Sequence, residues 1–264
     1  MPDHPVSETA TNDEIVAEMR TAGADYLVNL MFPVWPDEAA RLHEYNAELA
    51  KRIPKLIPLA GIHLADDNNV PQTVDALDRL GMVGLKIHTM VQHIDPWDTQ
   101  MHPVYAELEQ REKPLWLHTG HEEMYTFAFP DDHLRRLAEK FPQMPVVFAH
   151  AIFPRLAEAF AMLDEYPNTY LDMTNVFGSL VHPDKYAPYL SEKETAHLIE
   201  VLQEGIATHV GRVVYGTDYP SGLSGIQGML DDMMSIELPE PARQAMLWDT
   251  PFGLFSKWAK AYII

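Results

Sequence analysis

The chain has 264 residues and a formal net charge of −20, from 39 acidic and 19 basic residues. A charge this negative repels phosphate backbones and anionic lipid surfaces, so neither nucleic acid nor a membrane is an expected partner. No cysteine is present, which excludes disulfides and thiolate ligands, so any metal ion must be held by His, Asp or Glu.

The first predicted element is a helix. Thr11-Asn12-Asp13-Glu14 has the form of a capping box, and apolar residues then recur at helical spacing until Gly23 ends the pattern. An apolar run of strand length follows at residues 26–32, bounded by Gly23 and Pro33. A run that is apolar throughout is typical of a strand covered on both faces of a sheet.

The same alternation of helix and short apolar run continues along the chain. Each gap is long enough for the crossover helix that joins two parallel strands. No Gly/Ser linker or low-complexity tract interrupts it, so residues 1–264 are predicted to form one domain. The further runs are residues 56–64, 83–88, 115–118, 146–150, 169–173 and 212–216.

Seven strands are one fewer than a closed (β/α)8 barrel needs. The deficit lies at the start, because residues 1–12 contain Pro2 and Pro5 and no two adjacent large apolar residues. The expected fold is therefore a (β/α)8 TIM-type barrel that lacks its first strand. A doubly wound open sheet is the alternative that the alternation alone leaves open.

Ionisable residues follow the predicted strands where an active site would lie. Groups at the carboxyl ends of parallel strands share one mouth, and Lys86, His88, His118, His150 and Asp218 all occupy such ends. A single histidine there is usually a hydrogen-bonded structural residue, but three such ends together favour metal or acid–base chemistry at His118, His150 and Asp218. Lys86 and His88 share one strand face and are candidates for binding substrate, or for capping the edge of the core.

At these positions the chain resembles the amidohydrolase superfamily. The resemblance is to the amidohydrolase-related group that includes aminocarboxymuconate-semialdehyde decarboxylase-like enzymes, and the fold it implies is the metal-dependent hydrolase barrel. It runs from about residue 11 to the C-terminus and is most specific at the Gly-Thr-Asp-Tyr-Pro turn after the last strand. The matching segments are Gly84-Leu85-Lys86-Ile87-His88, Leu115-Trp116-Leu117-His118-Thr119-Gly120, Val147-Phe148-Ala149-His150, Pro167-Asn168-Thr169-Tyr170-Leu171-Asp172 and Gly216-Thr217-Asp218-Tyr219-Pro220.

The resemblance implies a role for each residue. His118 would be a metal ligand, His150 a second ligand or a group that polarises the substrate, and Asp218 a ligand and proton shuttle. Imidazoles and a carboxylate suit a divalent ion, zinc in the first place, which lowers the pKa of a bound water towards neutrality. Asp218 and His150 are thus the expected catalytic residues.

The start of the chain departs from the family pattern. The family's first strand ends in a His-x-His pair, whereas His4 stands alone here. Either the chain is a truncated form of a longer protein, which is the favoured explanation, or it is a variant that has lost the strand. A seven-stranded barrel has an open edge, and unpaired edges invite pairing with another chain, so a homodimer across the gap is expected.

Two reactions remain open on this scaffold. The first is hydrolysis of an amide, lactone or related bond in a small, carboxylated or aromatic molecule by metal-activated water, and the second is non-oxidative decarboxylation. Lys86 and Arg155 are candidate partners of a substrate carboxylate. A catalytically inactive barrel is the third reading if the first-strand ligands are absent. The protein is expected to be cytoplasmic, because no secretory signal or spanning segment is visible.

Overall fold

The computed structural model of the protein describes residues 10–263, so His4 lies outside the described residues. Each of the seven predicted runs contains a strand, and residues 56–64 contain two because the backbone changes its partner strand after Leu59. The strands are Leu27–Asn29 (β1), Leu56–Pro58 (β2), Ala60–Gly61 (β3), Leu85–Ile87 (β4), Leu115–His118 (β5), Val146–Ala149 (β6), Thr169–Asp172 (β7) and Val213–Val214 (β8).

All strands are parallel, and neighbours in space are neighbours in sequence. β1 pairs with β2, and β3 to β8 pair in order. The Leu59 amide donates to the Asn29 carbonyl, and the Ala60 amide donates to the Gly84 carbonyl, so one chain segment joins β1 to β4. A doubly wound sheet reverses its strand order near the middle. The unbroken order here is that of a barrel and decides against the open-sheet alternative.

The barrel is open between β1 and β8, since no strand within residues 10–263 pairs with the outer edge of either. A helical segment, residues 240–258, lies beside β8 and accepts a hydrogen bond from the Tyr215 amide at the Met246 carbonyl, 3.2 Å away. Phe255 of this segment stacks on Trp116 of β5 with ring centroids 6.0 Å apart. The segment therefore covers part of the inner face of the sheet.

Helices follow the strands as crossover connections or cover the ends of the barrel. The first begins with the predicted capping box, in which the Glu14 amide donates to Thr11 Oγ1 and the Thr11 amide donates to Glu14 Oε2. The helices are Asn12–Thr21 (α1), Ala39–Arg52 (α2), Asn69–Asp78 (α3), Thr89–Gln92 (α4), His102–Gln110 (α5), Asp132–Lys140 (α6), Leu156–Glu165 (α7), Val176–Val181 (α8), Pro183–Tyr186 (α9), Glu192–Thr208 (α10), Ile226–Ser235 (α11), Glu240–Gln244 (α12) and Thr250–Trp258 (α13), with a π-helical turn at Ala245–Asp249.

Alternate residues of each strand enter two different apolar layers. Leu115 and Leu117 of β5 point outward and pack against the surrounding helices, where Leu156 and Phe160 of α7 belong to the same cluster. Trp116 between them points inward and packs with Phe255 and its neighbours. Burial of each side chain of this size stabilises the fold by roughly 1.5–3 kcal/mol.

No helix within residues 10–263 is long and apolar enough to cross a membrane.

Candidate active site

The structure brings the predicted site residues to one end of the barrel. Lys86 lies in β4 with His88 directly after it, His118 ends β5, and His150 follows β6. Asp218 lies four residues beyond the end of β8. Because these strands are parallel and adjacent, their carboxyl ends form a single rim.

Three histidines of this rim contact one another. The rings of His88 and His118 stack with centroids 3.7 Å apart and planes 15° from parallel. His150 Nε2 lies 3.1 Å from His118 Nδ1. His118 and His150 are only 4% and 3% exposed, and this burial lowers the pKa of both imidazoles well below the ordinary histidine value. Both are therefore neutral at neutral pH.

Neutral histidines in this arrangement have defined tautomers. His150 Nδ1 lies 3.0 Å from the Thr174 carbonyl oxygen, which only accepts, so Nδ1 carries the proton. His150 Nε2 is then an acceptor for the Nδ1–H of His118. This leaves a lone pair on His118 Nε2, a buried atom with no hydrogen-bond partner within the described part of the chain. The site thus presents one unused imidazole acceptor.

Lys86 adds a buried amine to the inner face of the barrel. Its side chain is 5% exposed, and no carboxylate among residues 10–263 lies within 4.0 Å of its ammonium group. Burial lowers the pKa of Lys86, while Asp218 and Asp172 act in the opposite direction at longer range. A ligand with a carboxylate would supply the close counter-ion that this amine lacks.

Asp218 lies at the mouth of the site and is exposed to solvent. The net effect of its surroundings raises the pKa of Asp218 from 3.8 to about 6. Burial is the largest cause, Lys86 opposes the shift, and Asp172 adds a smaller contribution in the same direction as burial. A carboxyl group with a pKa of about 6 is partly protonated near neutral pH and can donate or accept a proton there.

The loop after β5 covers the histidines. The Tyr125 ring lies 5.4 Å from that of His118 and 5.7 Å from that of His88, and burial raises the pKa of Tyr125 to about 12. His121 is 5% exposed with its ring 5.6 Å from that of His150. Tyr125 is therefore a neutral hydroxyl group beside the site.

Arg155, a predicted partner of a substrate carboxylate, is already paired with acidic residues of the protein. Arg155 forms ion pairs with three carboxylates, Glu122 at 2.6 Å, Asp131 at 2.5 Å and Glu158 at 3.3 Å. Because three carboxylates already compensate the charge of this guanidinium group, Arg155 is a poor candidate for binding a substrate carboxylate. Lys86 is the better placed of the two cations.

Asp172 is a site residue that the sequence analysis did not single out. It ends β7, is 2% exposed, and burial raises its pKa. The signal was present, because Asp172 is an ionisable residue at a strand end like the others. It ends the segment Pro167-Asn168-Thr169-Tyr170-Leu171-Asp172, one of those that resemble the family.

The fit of a divalent metal ion depends on which nitrogens are free. His118 Nε2 has no partner and Asp218 offers a carboxylate, but the two nitrogens of His150 face Thr174 and His118. Within residues 10–263 no group of three or more His, Asp and Glu side chains is placed to hold a metal ion. A catalytic zinc takes three protein ligands, so the residues as placed do not fit one. His118, His150 and Asp218 stay a predicted ligand set.

Two curated relatives match parts of the chain. The protein fluG of Emericella nidulans is 35% identical over 74 residues, which cover 27% of this chain and 9% of that protein. A dihydroorotase of Delftia acidovorans is 25% identical over 218 residues, which cover 75% of this chain and 62% of that protein. The chain therefore spans less than two thirds of the length of either relative.

Solved structures match almost the whole chain. An uncharacterized TIM-barrel protein from Bordetella bronchiseptica has a TM-score of 0.70 at 20% identity, covering 94% of this chain and 83% of that one. The 5-carboxyvanillate decarboxylase of Sphingomonas paucimobilis has a TM-score of 0.65 at 17% identity, with 94% and 84% covered. A 2,6-dihydroxybenzoate decarboxylase has a TM-score of 0.67 at 17% identity, with 94% and 89% covered.

These likenesses show the fold, an α/β barrel of the TIM type. The family model described as amidohydrolase matches residues 3–256. Because that match includes nearly the entire chain, the protein belongs to the amidohydrolase family.

Proposed function

We propose that this protein catalyses the non-oxidative decarboxylation of a small aromatic or unsaturated carboxylic acid. The observation that carries the proposal is the pairing, at one barrel mouth, of a buried amine without a close counter-ion and a carboxyl group whose pKa is about 6. Lys86 would bind the substrate carboxylate, and Asp218 would supply the proton that replaces it. The likeness to two decarboxylases of carboxylated aromatic compounds supports the same reaction.

The reaction requires only a proton and the substrate. Protonated Asp218 donates its proton to the carbon that bears the carboxylate. The bond between this carbon and the carboxylate then breaks, its electron pair returns to the unsaturated system, and carbon dioxide leaves. Asp218 regains a proton from water. His118 Nε2 would accept a hydrogen bond from a hydroxyl group of the substrate and so orient it.

Hydrolysis is the second candidate, and the likeness to a dihydroorotase favours it. In that reaction Asp218 would act as a carboxylate and accept the proton of the attacking water. Hydrolysis therefore requires ionised Asp218, whereas decarboxylation requires protonated Asp218.

The test is product analysis with purified full-length protein, with and without added zinc or manganese. We expect carbon dioxide and the decarboxylated product from 2,6-dihydroxybenzoate, 5-carboxyvanillate or a related acid, and loss of that turnover in Asp218→Asn. Glu204→Gln, which changes an exposed carboxylate on α10, is the matched control and should retain activity. Turnover of dihydroorotate or other cyclic amides without carbon dioxide release would instead support hydrolysis. No turnover in either panel would favour a binding barrel.

A further inference from the structure

The carboxylate of Asp172 is held in one orientation by three donors. Trp116 Nε1 donates to Oδ2 at 3.0 Å. The backbone amide and the hydroxyl group of Thr174 donate to Oδ1 at 2.9 and 2.6 Å. Neither the proton transfer by Asp218 nor the binding of a carboxylate by Lys86 uses this arrangement.

Through these bonds Asp172 fixes the part of the backbone that orients His150. The Thr174 residue, anchored by its amide and its hydroxyl group, presents its carbonyl oxygen to His150 Nδ1 at 3.0 Å. A carbonyl placed there selects the Nδ1–H tautomer of His150. His150 Nε2 is then an acceptor, so the hydrogen bond with His118 selects the Nδ1–H tautomer of His118 as well. The lone pair on His118 Nε2 therefore depends on His150, which follows β6, and on Thr174, which follows β7.

A glycine just after the neighbouring strand β8 leaves room for this arrangement. A Cβ atom added to Gly216 would overlap Thr174 Oγ1 and would lie 2.6 Å from Asp172 Oδ1. The space beside β8 is thus filled by the Thr174 hydroxyl group and the Asp172 carboxylate. The network therefore joins Trp116 of β5 to Asp172 and Thr174 of the β7 segment, and the absence of a side chain after β8 leaves space for it.

We infer that Asp172 is a positioning residue that sets the tautomers of His150 and His118 through the backbone carbonyl of Thr174. The consequence for recognition is the polarity of His118 Nε2. With the network intact it accepts a hydrogen bond, and with the other tautomer it would donate one. The effect on turnover rests on the proposed function, whereas the effect on the tautomers does not.

The test measures both tautomers by two-bond proton–nitrogen correlation spectra of full-length protein labelled with ¹⁵N-histidine, at a pH where both rings are neutral. In Asp172→Asn the side-chain amide has one acceptor oxygen for two positions that both face donors. Its NH2 group opposes either the Trp116 N–H or, after rotation, the Thr174 N–H, so the variant weakens the anchoring of Thr174. Thr174→Val removes only the hydroxyl bond, and Thr174→Ser keeps it. Thr195→Val is the matched control, because its buried hydroxyl group has no partner within the described residues.

We expect the Nδ1–H signals of His150 and His118 in the unchanged protein, in Thr174→Ser and in Thr195→Val. Asp172→Asn and Thr174→Val should populate the Nε2–H tautomers, with kcat reduced roughly tenfold, the equivalent of one hydrogen bond. Unchanged tautomers in folded Asp172→Asn and Thr174→Val would overturn the inference, whatever the turnover. Altered tautomers without turnover of any carboxylic acid would leave the inference standing and count against the proposed function.

Discussion

His121, His150 and Asp218 have left-handed backbone conformations, with φ angles of 52°, 64° and 55°. For residues with a Cβ atom such conformations cost roughly 1–3 kcal/mol each and persist only where the surroundings impose them. Here the surroundings are the ends of parallel strands, where the chain turns sharply into the next segment. The turns direct these polar side chains to the mouth of the barrel, where His121 and His150 are buried and Asp218 is exposed.

The protonation of Asp218 predicts how the reaction depends on pH. A proton donor acts in its protonated form, and that fraction falls above its pKa, which is about 6 for Asp218. We therefore expect kcat for decarboxylation to be level below pH 6 and to fall up to about tenfold per pH unit above it. The pH–rate profile measures this. A rate that rises through pH 6 would instead identify Asp218 as a base and support hydrolysis.

Substitution of Gly216 is predicted to destabilise the folded protein. In Gly216→Ala the new methyl group meets Thr174 Oγ1 and Asp172 Oδ1, and overpacking of this kind costs roughly 1–3 kcal/mol. Gly253→Ala is the control, since a Cβ atom there meets nothing within 4 Å and alanine is favoured in a helix by about 0.5–1 kcal/mol. Urea unfolding of both variants tests the contrast, and equal midpoints would contradict it.

Among the elements, the loop after β5 and the C-terminal helix α13 shape the two ends of the barrel interior. The loop, residues 121–131, places Tyr125 over His118 and is tied down near both of its ends, because Arg155 pairs with Glu122 and with Asp131. Helix α13 sends Phe255 to the inner face of the sheet. One element covers the candidate site, and the other packs on the inner face of the sheet.

Loss of the Arg155 ion pairs should loosen the loop. Partly exposed ion pairs contribute about 0.2–1 kcal/mol each, so Arg155→Gln is expected to speed chymotryptic cleavage in residues 121–131 by roughly tenfold. Added salt should have a similar but smaller effect in the unchanged protein. Arg135→Gln is the control, because Arg135 pairs with Glu165 of α7 outside the loop. Equal cleavage rates for the two variants would show that Arg155 does not hold the loop.

The contribution of helix α13 can be measured at Phe255. This side chain is 4% exposed, and truncating a buried phenylalanine costs roughly 3–5 kcal/mol. Phe252, one turn earlier on the same helix, is 38% exposed and provides the matched control. At a protein concentration where the chain is a monomer, we expect Phe255→Ala to lower the free energy of unfolding by several times as much as Phe252→Ala. Similar losses would mean that the helix is not anchored on the sheet.

At the scale of the whole molecule, the main feature is a barrel that the described residues, 10–263, do not close between β1 and β8. An exposed aromatic cluster lies next to this opening, where the Trp248 and Phe252 rings stack 5.1 Å apart and both contact Tyr26. Trp248 and Phe252 are each 38% exposed. Unpaired strand edges beside exposed apolar side chains favour association with another chain.

We accordingly expect a homodimer formed through this edge. Light scattering should give twice the 30.0 kDa mass of one chain, and the double variant Trp248→Ser with Phe252→Ser should shift the equilibrium to monomer. Trp35→Ser, which changes another exposed tryptophan, should leave the mass unchanged. A single-chain mass at every protein concentration would contradict the expectation.

The sequence alone was sufficient to predict the fold class and the set of residues at the carboxyl ends of the strands. Apolar runs of strand length alternate with helices, and this periodicity is local, so a parallel α/β fold and its seven strand-bearing runs were predictable. The resemblance to the amidohydrolase superfamily favoured the barrel over a doubly wound sheet. Parallel strands carry their carboxyl ends to one side, which placed Lys86, His88, His118, His150 and Asp218 together. Their catalytic and binding roles stay predictions.

Only the tertiary structure decided how these side chains engage one another. The His150 tautomer depends on the Thr174 carbonyl, 24 residues away along the chain, and the bond from Trp116 to Asp172 joins residues 56 apart. Arg155 also turned out to be occupied by acidic partners. Such contacts form between strands and loops distant in sequence, at distances of about 3 Å that no periodicity encodes. Strand order and residue type predict a site's location, whereas its hydrogen bonds require the folded chain.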